Sequence, residues 1–207
     1  MEEKREDGRK QRVIISVGRQ FGSGGHMIAE ILSKRFELPI YDHRMLEEIA
    51  REKEVDQKTL AKYDEKPASK LFSRTVSGHS SSLADHLAQM QFDFLKRRAD
   101  AGESFVVVGR CSEMVLKDYD GLITIYIVGD EEPKRRRIMD LYHLSEPDAQ
   151  SMMTRKDWRR KSYHNSYCKG RWGDSRNYDI CVNSSRLGIE GTADILEQYI
   201  RARMERM

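Results

Sequence analysis

Long apolar runs, cysteine and proline are scarce in this chain of 207 residues. No apolar run approaches the roughly 20 residues that a membrane-spanning helix needs, and the charged N-terminus does not resemble a signal peptide. The three cysteines cannot all pair and lack metal-binding spacing, which favours a reducing compartment, the cytoplasm. With 34% charged residues and a mean hydropathy of −0.74, the sequence predicts a soluble protein.

A strong excess of charge is also missing, since the net charge is only +3. The charge is nevertheless uneven, because residues 134–176 hold 12 Lys or Arg against 5 Asp or Glu. Such a segment is expected to meet an anionic partner. We expect no nucleic-acid partner, because the rest of the chain adds little net charge, but a nucleic-acid-binding protein stays an alternative. Residues 1–12 are predicted to be a disordered tail, and residues 13–207 a single domain.

A glycine-rich stretch near the start organises the rest of the chain. Val13 to Val17 is a short apolar, β-branched run, and apolar residues recur at helical spacing from Met27 to Leu32. Gly22, Gly24 and Gly25 lie between them. A strand, a glycine turn and a helix in this order direct several backbone N–H groups and the positive end of a helix dipole at one point. That arrangement suits a phosphate group.

Strands alternate with helices along the remaining chain. The predicted strands read as continuous apolar runs, which is typical of a parallel sheet covered by helices on both faces. Ligands of such sheets bind at the carboxyl ends of the strands, where the glycine turn, Asp42, Gly109-Arg110 and Asp130 are expected. The predicted strands are 13–17, 38–42, 105–108, 122–128 and 178–183, and the later helices are 43–53, 82–101, 111–117, 131–141 and 188–203.

Two nucleotide-binding motifs match the glycine turn in part. A dinucleotide fingerprint would use Gly22 and Gly24, with Asp42 twenty positions after Gly22 as the ribose-binding acid, but Met27 occupies its last glycine position. A P-loop would use Gly24 as its late glycine, but Gly25 and His26 stand where that motif has lysine and a metal-binding Ser or Thr. An NAD-type Rossmann protein therefore stays an alternative.

Arginines in the basic segment help to choose between the two motifs. Arg155 and Arg159 share a helix face at i, i+4 spacing, and Arg160 is adjacent. Guanidinium groups that converge on one point stabilise the charge of a transferring phosphoryl group, whereas a dinucleotide site has no use for them. The alternative is a solvent-exposed basic face. Among Arg135, Arg136 and Arg137, at most one side chain is expected to point towards the site.

Taken together, these segments resemble the cytidylate kinase-like family, a branch of the P-loop nucleoside monophosphate kinases. The resemblance covers nearly the whole chain after residue 12. The matching segments, in order, are 15–25 (ISVGRQFGSGG), 41–42 (YD), 106–110 (VVVGR), 157–163 (DWRRKSY), 172–174 (WGD) and 178–185 (YDICVNSS).

The resemblance implies an α/β, three-layer P-loop kinase-like fold with a five-stranded parallel sheet. It further implies a helical insertion at 54–100 on the acceptor side and an arginine-rich lid at 145–165. The implied activity is transfer of phosphate from ATP to a nucleoside monophosphate, CMP or dCMP, with Mg²⁺ held mainly by nucleotide oxygens and water. The implied roles are donor binding by Arg19, Gly22, Ser23, Gly24, Gly25 and His26, acceptor binding by Asp42 and Arg110, and catalysis by Arg155, Arg159 and Arg160.

Three features of the typical kinases are missing. Gly25 replaces the lysine, His26 replaces the metal-binding hydroxyl, and Val108 stands where those enzymes have an acid before Gly-Arg. We therefore expect no protein metal ligand, and we advance the hypothesis that Arg19 supplies the missing positive charge. A non-catalytic nucleotide-binding protein on the same fold stays an alternative. The sequence predicts no membrane partner, and it allows a homo-oligomer without requiring one.

Overall fold

The computed structural model describes residues 12–45, 47, 49 and 83–207. The strands are β1 (Ile14–Arg19), β2 (Ile40–Tyr41), β3 (Phe105–Val108), β4 (Leu122–Val128) and β5 (Ile180–Asn183). The α-helices are α1 (Gly25–Arg35), α2 (Leu83–Asp100), α3 (Ser112–Val115), α4 (Glu131–Tyr142), α5 (Glu146–Tyr167) and α6 (Ser184–Met204), and a 3₁₀ turn lies at Ser175–Asn177.

The five strands form one parallel sheet in the order β2-β3-β1-β4-β5. In the register, Val17 of β1 lies beside Val108 of β3 on one side and Ile125 of β4 on the other. The carboxyl ends of these three strands therefore meet at one edge, and the glycine turn follows the central one. This confirms the predicted α/β fold with a five-stranded parallel sheet.

Alternate residues of β1 pack in two separate hydrophobic cores, one on each face of the sheet. Ile15 and Val17 pack with α1 and α6 on one face of the sheet, whereas Ile14 packs with α2 and the opposite face of β3. Both faces are apolar because helices cover each of them, and for this reason the strands read as continuous apolar runs rather than as alternating patterns. The sheet and the helices on its two faces form the three layers of the fold.

Several predicted boundaries change in the structure. The basic stretch after residue 145 forms one 22-residue helix, α5, whose start is capped by Ser145, with its hydroxyl accepting from the Asp148 N–H. β5 begins at Ile180 rather than residue 178. The last helix, α6, spans Ser184–Met204 but is kinked at Gly188, whose φ of 70° and ψ of −173° are not helical. Its long part therefore follows Gly188 as predicted, and one additional turn of helix precedes the kink. β4 spans the predicted residues 122–128.

Parts of three predicted segments lie outside the described residues. They are nearly all of the 1–12 tail, most of the 43–53 helix and the 54–82 part of the 54–100 insertion. The remainder of that insertion contains α2, which packs on the sheet through Phe94 and Leu95. Within the part of the chain that the structure describes, no helix combines the length and the apolar character needed to cross a membrane.

Candidate functional site

The turn between β1 and α1 is held in a glycine-dependent conformation. Gly22 and Gly24 have φ values of 82° and 77°, in the left-handed region where glycine is unstrained. Ser23 between them is buried, and its hydroxyl donates to the Gln20 carbonyl at 2.8 Å. The hydroxyl of Ser184, at the start of α6, donates to the Ser23 carbonyl at 2.6 Å. The turn is thus fixed from inside the fold before any ligand arrives.

Close packing leaves the glycine turn no room for side chains. A Cβ on Gly24 would overlap the side chain of Ile189, and one on Gly22 would lie 3.1 Å from the Lys134 backbone oxygen. At the helix N-cap, Gly24 has no side chain that could accept from the first turn of α1. The Gly25 N–H donates to the buried Ser23 hydroxyl at 3.4 Å. The other N–H groups of the first turn and the helix dipole are the features with which a helix start binds a phosphate.

Arg19 fills the space that a side chain at residue 25 would need. A Cβ on Gly25 would lie 2.6 Å from the Arg19 Cβ and 3.1 Å from its Cγ. Further along the same side chain, the Arg19 guanidinium occupies the place of a Cβ on Gly109. The arginine therefore runs from the glycine turn across to the end of β3, and glycine at both positions makes this path available.

Two cavities meet at this edge of the sheet. The larger one, about 490 Å³, lies over the glycine turn, and its other walls come from α4 and α5. The smaller one, about 30 Å³, lies between the ends of β1 and β3 and the second half of α5. Three guanidinium groups line both cavities, those of Arg19, Arg110 and Arg160.

Arg110 is presented by a strained turn at the end of β3. Gly109, Arg110 and Cys111 have consecutive φ values of 77°, 60° and 55°, and the last two are uncommon for residues with side chains. Arg110 is only 6% exposed. Backbone strain of this kind costs of the order of 1–3 kcal/mol per residue and is concentrated at functional sites. The hydroxyls of Ser16 and Ser112, 2.7 Å apart in the core, tie this turn to β1.

Helix α5 contributes one of the three predicted lid arginines to the cavities. Arg160 lies with its guanidinium 5.4 Å from the Phe21 ring centre, and its Nη1 donates to the Arg19 carbonyl at 3.5 Å. Arg155 and Arg159 are exposed, and neither lines the two cavities. Their catalytic role stays a prediction that would require α5 to move.

Asp157 was not among the predicted site residues, yet it anchors α5 to the glycine turn. Its Oδ1 accepts from the Phe21 N–H at 2.6 Å and lies 3.9 Å from Arg160 Nη1. Burial raises the pKa of Asp157, while the Phe21 hydrogen bond and the Arg160 charge oppose that rise. In the sequence, Asp157 stands between basic residues at 155–161 and begins the family-like segment 157–163, but neither observation assigned it a role.

Helix α4 places two further cations beside the turn. The Lys134 Nζ donates to Gln20 Oε1 at 3.1 Å, and the Arg137 guanidinium donates to the Gly22 carbonyl. Arg135 and Arg136 instead pair with Glu132. One of the three consecutive arginines therefore points inwards, as expected, whereas the role of Lys134 had no spacing signal in the sequence.

The predicted acceptor residue Asp42 sits beside the predicted donor residue His26. Asp42 is 2% exposed, and its Oδ2 lies 3.5 Å from His26 Nε2. Although burial opposes it, hydrogen bonds from the backbone and side chain of Arg44 lower the pKa of Asp42. Burial lowers the pKa of His26, with Glu30 and Asp42 opposing the shift. His26 and His43 line the larger cavity, whereas Asp42 is behind them.

A buried ion pair that sequence reasoning missed forms one wall of the smaller cavity. His164 Nε2 lies 2.6 Å from Glu113 Oε1, and both side chains are at most 5% exposed. Burial opposes charging of the imidazole, but the hydrogen bond and charge of Glu113 raise the pKa of His164 overall. The pair joins α5 to α3, the short helix that follows the strained turn after β3. Among the described residues, no group of three or more His, Cys, Asp or Glu could hold a metal ion.

A family model described as the cytidylate kinase-like family matches residues 14–186. A crystal structure of an uncharacterized protein from Eubacterium ventriosum is 34% identical, with a TM-score of 0.73 over 92% of this chain and 99% of that one. No curated protein matches at a significant level.

Two more distant structures support the fold alone. Shikimate kinase from Bacteroides thetaiotaomicron is 11% identical, with a TM-score of 0.53 over 91% of this chain and 98% of that one. A sugar kinase from Janibacter sp. is 14% identical, with a TM-score of 0.51 over 92% of this chain and 95% of that one.

Proposed function

Since the chain belongs to the cytidylate kinase-like family, we propose that it transfers the γ-phosphoryl group of ATP to a nucleoside monophosphate, with CMP or dCMP as the first acceptors to test. The observation that carries this proposal is the convergence of Arg19, Arg110 and Arg160 where the two cavities meet. Phosphoryl transfer needs positioned reactants and positive charge around the transferring group more than covalent chemistry from the protein.

The larger cavity is proposed as the donor site. The glycine turn from Gly22 to Gly25, together with His26 at the start of α1, would hold the phosphates of ATP through backbone N–H groups and the helix dipole. Arg19 would contribute the positive charge that a P-loop lysine supplies elsewhere. Its path over Gly25 supports this assignment, because the arginine side chain begins where the lysine side chain would begin.

The smaller cavity is proposed as the acceptor side of the transfer point. Arg110 would bind the acceptor phosphate, whose oxygen attacks the γ-phosphorus while the bond to the bridging oxygen of ADP breaks. Arg160, shared by both cavities, would stabilise the charge on the transferring group. Asp42 is proposed to orient the acceptor from behind His26, and Arg155 and Arg159 to join the site when α5 closes.

A non-catalytic nucleotide-binding protein is the second candidate. The replacement of the P-loop lysine by Gly25 favours it, whereas the three guanidinium groups at the junction of the cavities favour a kinase. The proposal includes three predictions made from the sequence. The nucleotide would carry Mg²⁺, the protein would be located in the cytoplasm, and it could form a homo-oligomer.

Thermal unfolding with candidate ligands tests both functions. ATP, GTP, CMP, dCMP, AMP, UMP, NAD, shikimate and a hexose are each added with and without a divalent cation. A ligand at about 100 times its Kd stabilises the folded state by about 2.7 kcal/mol, which raises the Tm of a domain of this size by roughly 5–11 °C. A shift with ATP and one acceptor, followed by ADP formation with that pair, supports the kinase. A shift with ATP but no turnover with any acceptor supports the binding protein, and NAD protection without ATP protection supports a dinucleotide site.

Replacing each arginine on α5 tests the proposed transfer point. Arg160→Ala is expected to lower kcat by about 10²-fold or more, the cost of losing one charge-stabilising donor. Arg155→Ala and Arg159→Ala lower kcat as well if α5 closes over the substrates, and leave it unchanged if the helix stays where the structure has it. Unchanged kcat in Arg160→Ala would contradict the assignment.

A further inference from the structure

Two of the three cysteines meet at the end of α5. Cys111 belongs to the strained turn after β3 and is buried, whereas Cys168 forms the C-cap of α5 and is partly exposed. Both side chains pack in one small hydrophobic cluster, and their thiols form a hydrogen bond with each other. Cys181 is exposed on β5 and does not belong to that cluster. The proposed kinase activity uses none of the three cysteines.

A second contact holds the same two segments together. Glu113, two residues after Cys111, has its Oε1 2.6 Å from Nε2 of His164. His164 lies one helical turn before Cys168, whose backbone N–H donates to the His164 carbonyl at 2.8 Å. The thiol pair therefore has a buried ion pair beside it. The approach of the two sulfur atoms is set by the packing of two segments rather than by the rotation of one side chain.

The two thiols differ in reactivity. The hydrogen bond from Cys111 lowers the pKa of Cys168, and the charge of His164 lowers it further, although burial opposes both. The same hydrogen bond and burial raise the pKa of Cys111. Cys168 is thus the cysteine that ionises first, with the Cys111 S–H donating to its sulfur. Because a thiolate is the nucleophilic form of cysteine and Cys168 is the more exposed of the two, an oxidant from solution reacts there first.

We propose that Cys111 and Cys168 form a reversible modification site, at which hydrogen peroxide converts the two thiols into a disulfide. The Cys168 thiolate attacks one peroxide oxygen, so that an S–O bond forms, the O–O bond breaks and hydroxide leaves, becoming water with the proton that Cys168 released. The Cys111 sulfur then attacks the sulfur of this sulfenic acid. The S–S bond forms, the S–O bond breaks, and the oxygen leaves as water with the Cys111 proton. Two thiols are oxidised by two electrons, and one peroxide is reduced to two waters.

The disulfide would connect two elements that carry site arginines. It would link α5, which carries Arg160, to the turn that carries Arg110, and both side chains line the two cavities. The modification itself does not depend on the proposed function, because it involves only the thiols and the oxidant. The alternative is that both cysteines act only as small apolar side chains that fill the cluster.

Mass spectrometry of the full chain tests the site. The folded wild type is treated with a small excess of hydrogen peroxide, then unfolded without reductant and alkylated. We expect it to lose the mass of two hydrogen atoms, to be alkylated only at Cys181, and to give joined proteolytic peptides containing Cys111 and Cys168 that dithiothreitol separates. The control Cys181→Ser should give the same joined peptides. Closing a loop of this length should also raise the Tm by roughly 4–16 °C.

Single substitutions test the order of the two steps. Cys111→Ser removes the second thiol, so a sulfenic acid should accumulate at Cys168 and be labelled by dimedone, whereas Cys168→Ser should leave Cys111 unlabelled. Thermal unfolding of the reduced proteins checks that each variant folds, and Cys111→Ala replaces Cys111→Ser if the buried hydroxyl prevents folding.

Two results would overturn the proposal. One is that all three thiols of the peroxide-treated wild type remain open to alkylation, and the other is that its disulfides join Cys181 to either of the other cysteines. In both cases Cys111 and Cys168 only pack against each other. Neither result bears on the kinase proposal, because nucleotide binding and turnover are measured on the reduced protein.

Discussion

Substitutions at residues 19 and 25 test the proposal that Arg19 supplies the positive charge of the missing P-loop lysine. The Arg19 side chain lies over Gly25 and reaches to Gly109. Arg19→Ala removes a charged donor to the phosphates, which is worth about 1.5–3 kcal/mol. The Kd of ATP should therefore rise about 10- to 150-fold. Calorimetry measures this change, and an unchanged Kd would refute the assignment of Arg19.

A lysine introduced at residue 25 of the wild type should destabilise the fold for a steric reason. The new Cβ would lie 2.6 Å from the Arg19 Cβ, an atom close to the backbone that cannot swing away. Overpacking of this kind costs about 1–3 kcal/mol, so Gly25→Lys should lower the Tm by about 2–12 °C for a domain of this size. A variant as stable as the wild type would show that the overlap is relieved elsewhere.

The same distance predicts which double variant restores binding. Alanine at residue 19 keeps the interfering Cβ, so Arg19→Ala with Gly25→Lys should remain destabilised and bind ATP poorly. Arg19→Gly removes that atom, so the double variant Arg19→Gly with Gly25→Lys should recover most of the stability lost in Gly25→Lys. The part not recovered is the cost of a glycine in a strand, about 0.5–1 kcal/mol. The affinity of this double variant for ATP should exceed that of Arg19→Gly alone. Equal affinity of these two variants would mean that a cation at residue 25 cannot reach the phosphates.

Further predictions concern the glycine turn and the buried ion pair. Gly24→Ala should lower both stability and ATP affinity, because its Cβ would overlap Ile189. The control Gly102→Ala, also at a positive φ, has open space around its Cβ and should cost only the roughly 1–2 kcal/mol of that φ; equal losses in the two would contradict the packing argument. Glu113→Gln should destabilise the protein by about 3–5 kcal/mol where the pair is charged. Because the pKa of His164 is raised in the folded protein, this stabilisation is complete below the unfolded pKa and is lost as the pH rises through the folded pKa. The Tm difference between Glu113→Gln and wild type should therefore shrink from pH 6 to pH 9, and a constant difference would show that the pair does not titrate in this range.

The fold could be predicted because its signals are local. The apolar run at residues 122–128 has the length and β-branched content of a buried strand, and it became β4 without change. The boundaries of α5 and α6 were harder to predict. Few residues of α5 are buried, which leaves little periodic signal over its 22 residues. In α6, the long part after the kink at Gly188 was predicted, whereas the single turn of helix at 184–187 before the kink was not.

The site was predicted less completely, because its members come from separate elements. Helical spacing correctly grouped Arg155 with Arg159, but spacing gives only the relative orientation of two side chains. The face that they share is the exposed one, and the neighbouring Arg160 faces the cavities. Lys134 and Asp157 contact the glycine turn through tertiary packing alone, so no local pattern could reveal them.

A missing motif residue is therefore weak grounds for concluding that the site has lost its charge. The P-loop motif describes cations only where they are contiguous with the glycines. In this chain the cations beside the glycine turn come from four separate elements. They are Arg19 of β1, Arg110 of the turn after β3, Arg137 of α4 and Arg160 of α5. The strand order makes this arrangement available, because β1 lies between β3 and β4 and the segments that follow all three strands meet at one edge. Any of these segments can donate a cation to the same point, and the glycine at residue 25 then becomes a requirement for Arg19 rather than a defect.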